Sequence, residues 1–492
     1  MISQLPALQV VIPLLGALIV AILRNGTIGW IVSLAVSWTM PVIAIVLLGH
    51  VSEHGPISYA MGGWEPPAGI EYRVDQANAY LLLLVSGMAA LVMTYAPRSL
   101  ASEISPNVLG WYYSMYLTCL AGLLGIAITG DAFNVFVFME VSSLATYVMI
   151  ALGRDRRAIM SAYQYLIVGT IGATFYVIGV GLLFVMTGSL NLFDIAGRLG
   201  DVESSRPLIA ALAFLTVGIG LKLALFPLHL WLPNAYAFAP SVATAFLAST
   251  ATKVAVYLLL RILFSVFGVT VVFSEFNTAE ILLTLSVAAM LIPSIVAIFQ
   301  ANVKRMLAYS SVAQIGYITL GIALANQTGL TGGIAHIFNH ALIKGCLFLA
   351  IGCVVFSSGV TKIDNMAGIG RRMPLTMAAF VIAGLGLIGV PGTAGFVSKW
   401  YLVAGALEKD MWWLAGIIVV SSLLAVLYIG RVVEVAWFRE PGDSLKAIRD
   451  VPPEMMIVTW VLAAATIWFG FATDISAGVA AEAAQVLLAG YR

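Results

Sequence analysis

Apolar stretches of about twenty residues, parted by short polar turns, recur along the whole chain. A helix needs about 20 mostly apolar residues to cross the hydrocarbon layer of a bilayer. On that ruler the pattern predicts about fourteen spanning helices, at residues 4–23, 27–50, 76–97, 110–129, 131–152, 161–187, 207–230, 240–267, 277–299, 306–325, 329–357, 374–407, 411–438 and 455–472. Two of them are interrupted. The seventh meets Pro227 and Pro233 just after Lys222, and the twelfth carries Gly389-Val390-Pro391-Gly392 in mid-span. Proline and glycine break helices, and a broken helix is tolerated inside a membrane where it lines a polar cavity. Paired breaks in corresponding positions of two halves point to a transport path; ordinary proline kinks are the alternative.

The connections are short. Residues 51–74, with Gly62-Gly63-Trp64-Glu65-Pro66-Pro67, read as a hairpin on the outer surface, and 189–206 as a loop holding an interfacial helix. The weakly amphipathic tail from Ala477 to Arg492 is expected to lie at the membrane interface. The fold class expected is an all-α polytopic membrane protein, one membrane domain over residues 1–492. The first charge, Arg24, follows a full-length span, so the first span is expected to remain as a helix and not to be cleaved as a signal peptide.

Composition agrees with that class: 61% of residues are hydrophobic, only 10% are charged, and the mean hydropathy is +1.02. A net charge of +1 with no basic tail argues against nucleic-acid binding. Cys119, Cys346 and Cys353 all fall in apolar spans without metal-ligand spacing, so they are expected to pack and not to form a disulfide, zinc site or iron–sulfur cluster. The loop cations fix an orientation. Alternate loops give 13 Lys and Arg on one side (Arg154, Arg156, Arg157, Lys304, Arg305 and Lys446 among them) and 5 on the other (Arg73, Arg198, Arg206, Lys409, Arg492). The richer side is expected to be cytoplasmic. This places the chain in the inner (plasma) membrane with both termini on the outer, periplasmic side.

Against this background a few ionisable residues stand out. Lys222 lies in an apolar stretch, Leu208 to Leu230, that has no other Lys, Arg, Asp or Glu. A cation at membrane depth costs roughly 2.5–3.5 kcal/mol on insertion scales, so it needs a reason to be there. Lys253, Lys344 and Lys399 repeat the pattern, and Glu140 supplies a carboxylate in the middle of the fifth span. A desolvated lysine exchanges its proton with modest help, which an arginine cannot do. The set therefore reads as a proton-handling path. A structural Glu–Lys pair is the plainer alternative, but buried ion pairs are poor stabilisers. Asp131 begins its span and reads as an N-cap.

His229 sits at the broken end of the seventh span, as a relay or as a cap on freed carbonyls. His336, His340 and Lys344 follow at four-residue steps, on one face of the eleventh span. That stripe suits a proton wire, with structural hydrogen bonding and a metal site as the other readings. Two histidines at that spacing without an acid nearby are weak grounds for a metal. Lys253 is placed to bridge Lys222 and Lys344. Arg431 and Glu434 are expected to pair with each other across one turn. No Gly-x-Gly-x-x-Gly after a strand, no phosphate-binding Gly-Lys-Ser/Thr loop and no Cys-x-x-Cys occurs, so no nucleotide, flavin or metal cofactor is expected.

Several linked motifs carry a family resemblance. The run KLALFPLHLWLPNAY from Lys222 to Tyr236, the run KRMLAYSSVAQIGY from Lys304 to Tyr317, the His336/His340/Lys344 stripe, and GFVSKW from Gly395 to Trp400 resemble antiporter-like subunits. These are the subunits shared by respiratory complex I and Mrp-type Na+/H+ antiporters, and the likeness covers about residues 70 to 440. It implies a fourteen-helix fold with two inverted five-helix halves: a 1–109 segment, halves at 110–270 and 275–438, and 439–492 as final helix and tail. It also implies a Glu140–Lys222 pair, a connecting Lys253, a His340–Lys344 relay and an exit lysine, Lys399. Length brings the chain nearest the D-type subunits of Mrp antiporters, and lysine at 399 argues against the one complex I paralogue with glutamate there but not against the others. Asn302 departs from the acid usual before Lys304-Arg305. The function implied is proton translocation within a multisubunit Na+/H+ antiporter, alongside other Mrp-type subunits. A proton-pumping module of complex I or of a membrane-bound hydrogenase is the alternative.

Overall fold

The computed structural model describes residues 2–200, 206–441 and 448–491. Lys446 and Arg492, two of the loop cations counted for orientation, lie outside them. Among the described residues thirteen helices are long and apolar enough to cross a membrane, from Leu5–Leu23 to Pro453–Phe471. The predicted twelfth span divides into Pro374–Ile388 and Ala394–Leu407, each too short to cross alone. Counting that pair as one span gives the fourteen expected.

The polar residues at the helix starts explain where many spans begin. Asn25, Asp75, Asp131, Asp155, Asn302 and Asn326 each accept from backbone N–H groups of the following turn. Such caps satisfy donors that no lipid could. Asp131 thus plays the capping part predicted, and Asn302 keeps a cap where an acid was expected.

Packing separates an interior from a lipid-facing shell. In the tenth span 94% of the apolar window is buried, against 33% in the span Trp412–Phe438. The eighth, tenth and eleventh spans form the middle of the molecule, and they carry Lys253, Lys304, His336, His340 and Lys344. The fourth span packs on the fifth and the fifth on the sixth; the ninth packs on the tenth and the tenth on the eleventh.

Among the described residues three spans are broken, one more than the sequence indicated. The seventh ends its first helix, Arg206–Leu223, turns through 224–230, and resumes as Trp231–Phe238. The twelfth breaks at Gly389, whose φ of 88° suits glycine. The eighth divides at Thr250 into Ser241–Ser249 and Ala251–Leu260, then continues as a π-helical turn, Arg261–Val266. Neither proline nor glycine stands at Thr250, so that break carried no local signal.

Outside the spans, Ile57–Ala60 and Glu71–Val74 pair antiparallel, Ile57 opposite Val74, as the hairpin expected. The helix Leu192–Leu199 fills the predicted loop. The tail packs on protein. Its helix Val479–Ala489 buries Ala480, Ala483, Ala484 and Leu487 against the third and eleventh spans, so protein covers its apolar stripe. Arg431 and Glu434 do not pair either. Arg431 donates to the Ile298 and Gln300 carbonyls and lies 3.8 Å from Asp364, while Glu434 pairs with Arg439 at 3.0 Å. Carbonyls freed at the end of the ninth span compete better for the guanidinium than one exposed carboxylate does.

Candidate functional site

Glu140 and Lys222 meet in the interior from the fifth and seventh spans. Lys222 Nζ lies 3.7 Å from Glu140 Oε1, with 8% of the lysine side chain and 27% of the glutamate exposed. The pair is loose: Lys222 donates its hydrogen bond to Ser143 Oγ, and Glu140 Oε1 accepts none. Beside it lies a cavity of about 40 Å³, walled mostly by apolar side chains such as Leu123 and Leu258, with Ser142, Ser143, Thr146, Tyr165 and Lys222 as its polar lining and Ala251 on the eighth-span side. A water needs about 10–15 Å³ of such room and several polar partners, so a few waters fit. Gly169 leaves room for the Tyr147 hydroxyl and the Lys222 amine. A Cβ there would sit 1.9 Å from the Tyr147 hydroxyl and 3.3 Å from Lys222 Nζ. Ser143 and Gly169 went unnoticed in the sequence because small uncharged residues are ordinary in membrane helices, and Ser143 meets Lys222 only across 79 positions of chain.

Lys253, 1% exposed, donates to the Ala248 carbonyl beside the Thr250 break and reaches Thr252 Oγ1 at 3.4 Å. Broken backbone supplies the carbonyl that steadies the amine. The first half of the eighth span packs on the eleventh, which carries the His336/His340/Lys344 stripe. The cavity lined by Lys222 and Ala251 lies between Lys222 and the eighth span.

The eleventh-span stripe is built as the spacing predicted. His336 holds Ser398 Oγ at 2.8 Å through Nδ1 and Gln314 Oε1 at 2.9 Å through Nε2. Lys344 donates to the Leu307 carbonyl at 2.8 Å and to Ser310 Oγ. His340 stacks parallel to His336, centroids 5.9 Å apart, and neither of its ring nitrogens has a protein partner. Buried polar atoms are nearly always paired, and an idle imidazole between two bonded neighbours has free capacity to accept or donate. Among the described residues no three His, Cys, Asp or Glu side chains gather as metal ligands would.

Lys399 stands after the break in the twelfth span. Its Nζ donates to the carbonyls of Leu387 (3.0 Å) and Ile388 (2.9 Å) and to Ser422 Oγ (2.9 Å), and it lies 4.5 Å from the Tyr317 ring centroid. His229 is less connected. It stacks on Phe226, meets Tyr309 edge-on, and has the Pro227 backbone beside its ring.

One face of the tenth span supplies a partner to three of these residues. Ser310 serves Lys344, Gln314 serves His336, and Tyr317 underlies Lys399. Their spacing of three and four residues marks one helix face. The sequence showed this run as a motif without showing what it touched.

Residues 129–425 match the family model described as NADH:quinone oxidoreductase/Mrp antiporter, transmembrane. The chain is 44% identical over 459 residues to a protein named NADH-quinone oxidoreductase subunit N of Desulforudis audaxviator, covering 92% of this chain and 90% of that one. It is 28% identical over 482 residues to the D-type subunit of the Na(+)/H(+) antiporter of Bacillus subtilis, covering 98% and 96%. A chain of the Mrp complex from Dietzia sp. DQ12-45-1b superposes with a TM-score of 0.89 at 26% identity, covering 99% and 97%. A chain of the membrane-bound sulfane sulfur reductase, an archaeal respiratory membrane complex, superposes with a TM-score of 0.91 at 30% identity, covering 99% and 98%.

Proposed function

The chain belongs to the NADH:quinone oxidoreductase/Mrp antiporter transmembrane family, a family of subunits of multisubunit membrane complexes, and from that premise we propose that it translocates protons as part of a monovalent cation (Na+)/H+ antiporter. In this reading Glu140 and Lys222 exchange a proton at one end of the path. Lys253 and the His336/His340/Lys344 stripe pass it across the middle, and Lys399 hands it on. The observation that carries the reading is the loose Glu140–Lys222 contact at 3.7 Å, with a small cavity beside it into which Lys222 and three hydroxyl-bearing side chains, Ser142, Ser143 and Thr146, open. An ion pair kept for stability would be tightly hydrogen-bonded.

The energies are of the right size. A charge crossing 100 mV exchanges about 2.3 kcal/mol. A change of one pKa unit is worth about 1.4 kcal/mol, so modest electrostatic rearrangement at a buried lysine couples to the membrane potential. The same reading puts the chain in the plasma membrane, its cation-rich face cytoplasmic and both termini outside.

The 44% identical relative named as an NADH-quinone oxidoreductase subunit favours a second reading, a proton-pumping module of a redox complex. Inverted membrane vesicles carrying the intact complex separate the two. Proton movement driven by a Na+ gradient without an electron donor supports antiport, and movement that requires donor and quinone supports redox pumping. In either assay Lys222→Ala and Glu140→Ala are expected to abolish flux; near-wild-type flux in both removes the pair from the mechanism.

A further inference from the structure

The tenth span opens with a buried lysine that the proposed path does not use. Lys304 is 3% exposed; its Nζ donates to the Ala239 carbonyl at 2.8 Å and to Ser241 Oγ at 3.5 Å. Ser241 opens the eighth span, and its hydroxyl donates to Glu103 Oε2 at 3.1 Å while its backbone N–H donates to the same oxygen at 2.9 Å. Ser99 Oγ donates to the other carboxylate oxygen, also at 3.1 Å. Glu103, at the end of the third span, is half-buried. A partly exposed acid, a hydroxyl and a buried amine thus stand in one hydrogen-bonded row. The row lies where the second half of the broken seventh span joins the eighth.

Holding Ala239 in place does not require a charge, since a neutral donor would do so without the desolvation cost of an ammonium. The position of Lys304 supplies a better reason. Leu307 and Ser310, whose oxygens hold Lys344, follow it on the same helix face. Six residues of helix advance about 9 Å. Gln314, the partner of His336, is four residues further on. The tenth span therefore leads from the Glu103 carboxylate at the cation-rich face to the interior stripe.

We propose that Glu103, Ser241 and Lys304 form a proton-exchange site through which protons pass between water at the cation-rich face and Lys344. This rests on the reading that Lys344 handles protons. As observed, Lys304 donates to Ser241 and Ser241 to Glu103, the pattern of an ammonium and a carboxylate. One proton moves from Lys304 Nζ to the serine oxygen as the serine proton moves to Glu103 Oε2. This leaves a neutral amine, an intact hydroxyl and a carboxylic acid, which gives its proton to water. The reverse steps load Lys304. Other ionisable groups near the row are the Tyr95 and Tyr112 phenols, which feel the Glu103 charge. The Arg154 guanidinium turns to the Ser102 and Ile104 carbonyls.

The test uses the intact complex in inverted vesicles, with assembly checked by native gel. Glu103→Gln keeps an oxygen for the Ser241 N–H but cannot take up a proton; Ser241→Ala removes the hydroxyl and Ser241→Thr keeps it. Proton flux is expected to fall about tenfold or more in Glu103→Gln and Ser241→Ala, the size of a lost acid–base group, and to return in Ser241→Thr. The pH profile of the residual flux should also change, which loss of a helix cap alone would not cause. Wild-type flux in Glu103→Gln and Ser241→Ala overturns the site. If Glu103→Gln fails to assemble, the contrast between Ser241→Ala and Ser241→Thr decides. Glu140→Gln is the control. If it abolishes flux while the site variants keep it, only this inference fails; if it too keeps flux, the relay reading fails and this site with it.

Discussion

Lys399 Nζ lies 2.9 Å from the carbonyl oxygen of Ile388, so the lysine that follows the break in the twelfth span caps the helix that precedes it. The same amine reaches the Leu387 carbonyl and Ser422 Oγ. A charge in lipid and an interrupted helix are each costly, and here each satisfies the other. Gly389 permits the approach, because a Cβ there would press to 2.9 Å from Lys399 Cδ.

Two jobs at one residue can be separated by substitution. Lys399→Arg keeps a cation for the carbonyls but cannot release a proton at physiological pH. The variant complex is expected to assemble with proton flux lowered at least about tenfold, whereas Lys399→Ala loses flux and also about 1–3 kcal/mol of stability through unpaired carbonyls. Vesicle flux and the thermal stability of the detergent-extracted complex measure both. Wild-type flux in Lys399→Arg would show that no proton leaves this lysine.

Gly169→Ala tests the space around Lys222. The new methyl would overlap the Tyr147 hydroxyl, at 1.9 Å, and crowd the Lys222 amine, at 3.3 Å. Overpacking of this kind costs about 1–3 kcal/mol, and here relief requires moving Tyr147 or Lys222. Flux should fall while assembly persists. Adding Tyr147→Phe removes the colliding oxygen and should restore part of the flux; if the double variant is no better than the single, the crowding argument is wrong.

A buried ion pair away from the path makes a stability prediction. Arg261, in the π-helical turn of the eighth span, donates to Asp75, the N-cap of the third; they are 2% and 5% exposed. Arg261→Met strands a buried carboxylate, which should cost about 3–5 kcal/mol. Adding Asp75→Asn removes that charge and keeps the helix cap, so the double variant should be the more stable of the two. Thermal unfolding of the single and double variants measures this, and additive losses would refute it.

At the cation-rich face, Asp155 caps the sixth span and hydrogen-bonds Arg157, which holds its carboxyl below the ordinary carboxylate range. A depressed folded value adds stability above the unfolded pKa, near 3.9, and that stability is lost as pH falls through the folded value. Exposure keeps the effect small, since exposed pairs contribute about 0–1 kcal/mol. Asp155→Ala should lower stability at pH 7 by about 0.5–2 kcal/mol through the lost cap, with a smaller difference from wild type below about pH 4. Unfolding at both pH values checks the sign.

The spans, the Asp131 cap, the hairpin and the two proline- or glycine-marked breaks were readable because each depends on residues close together in the chain. Apolar length sets a span, and a missing N–H or a positive φ sets a break. The lysines were readable for the same reason, as cations in apolar sequence. Their partners were not. Ser143, Gln314, Ser398 and Tyr317 are ordinary residues for a membrane helix, and their meaning comes from contacts with residues 22 to 82 positions away.

The sequence by itself therefore determined which residues must be hidden from lipid, because burial cost depends on side-chain chemistry alone. Only the tertiary structure decided what each hidden group touches. It split the eighth span at Thr250 without a breaker, turned Arg431 from Glu434 to the backbone, and set Glu103, Ser241 and Lys304 in a row. Hydrogen bonds act over about 3 Å, and which groups come that close is settled by how whole helices pack.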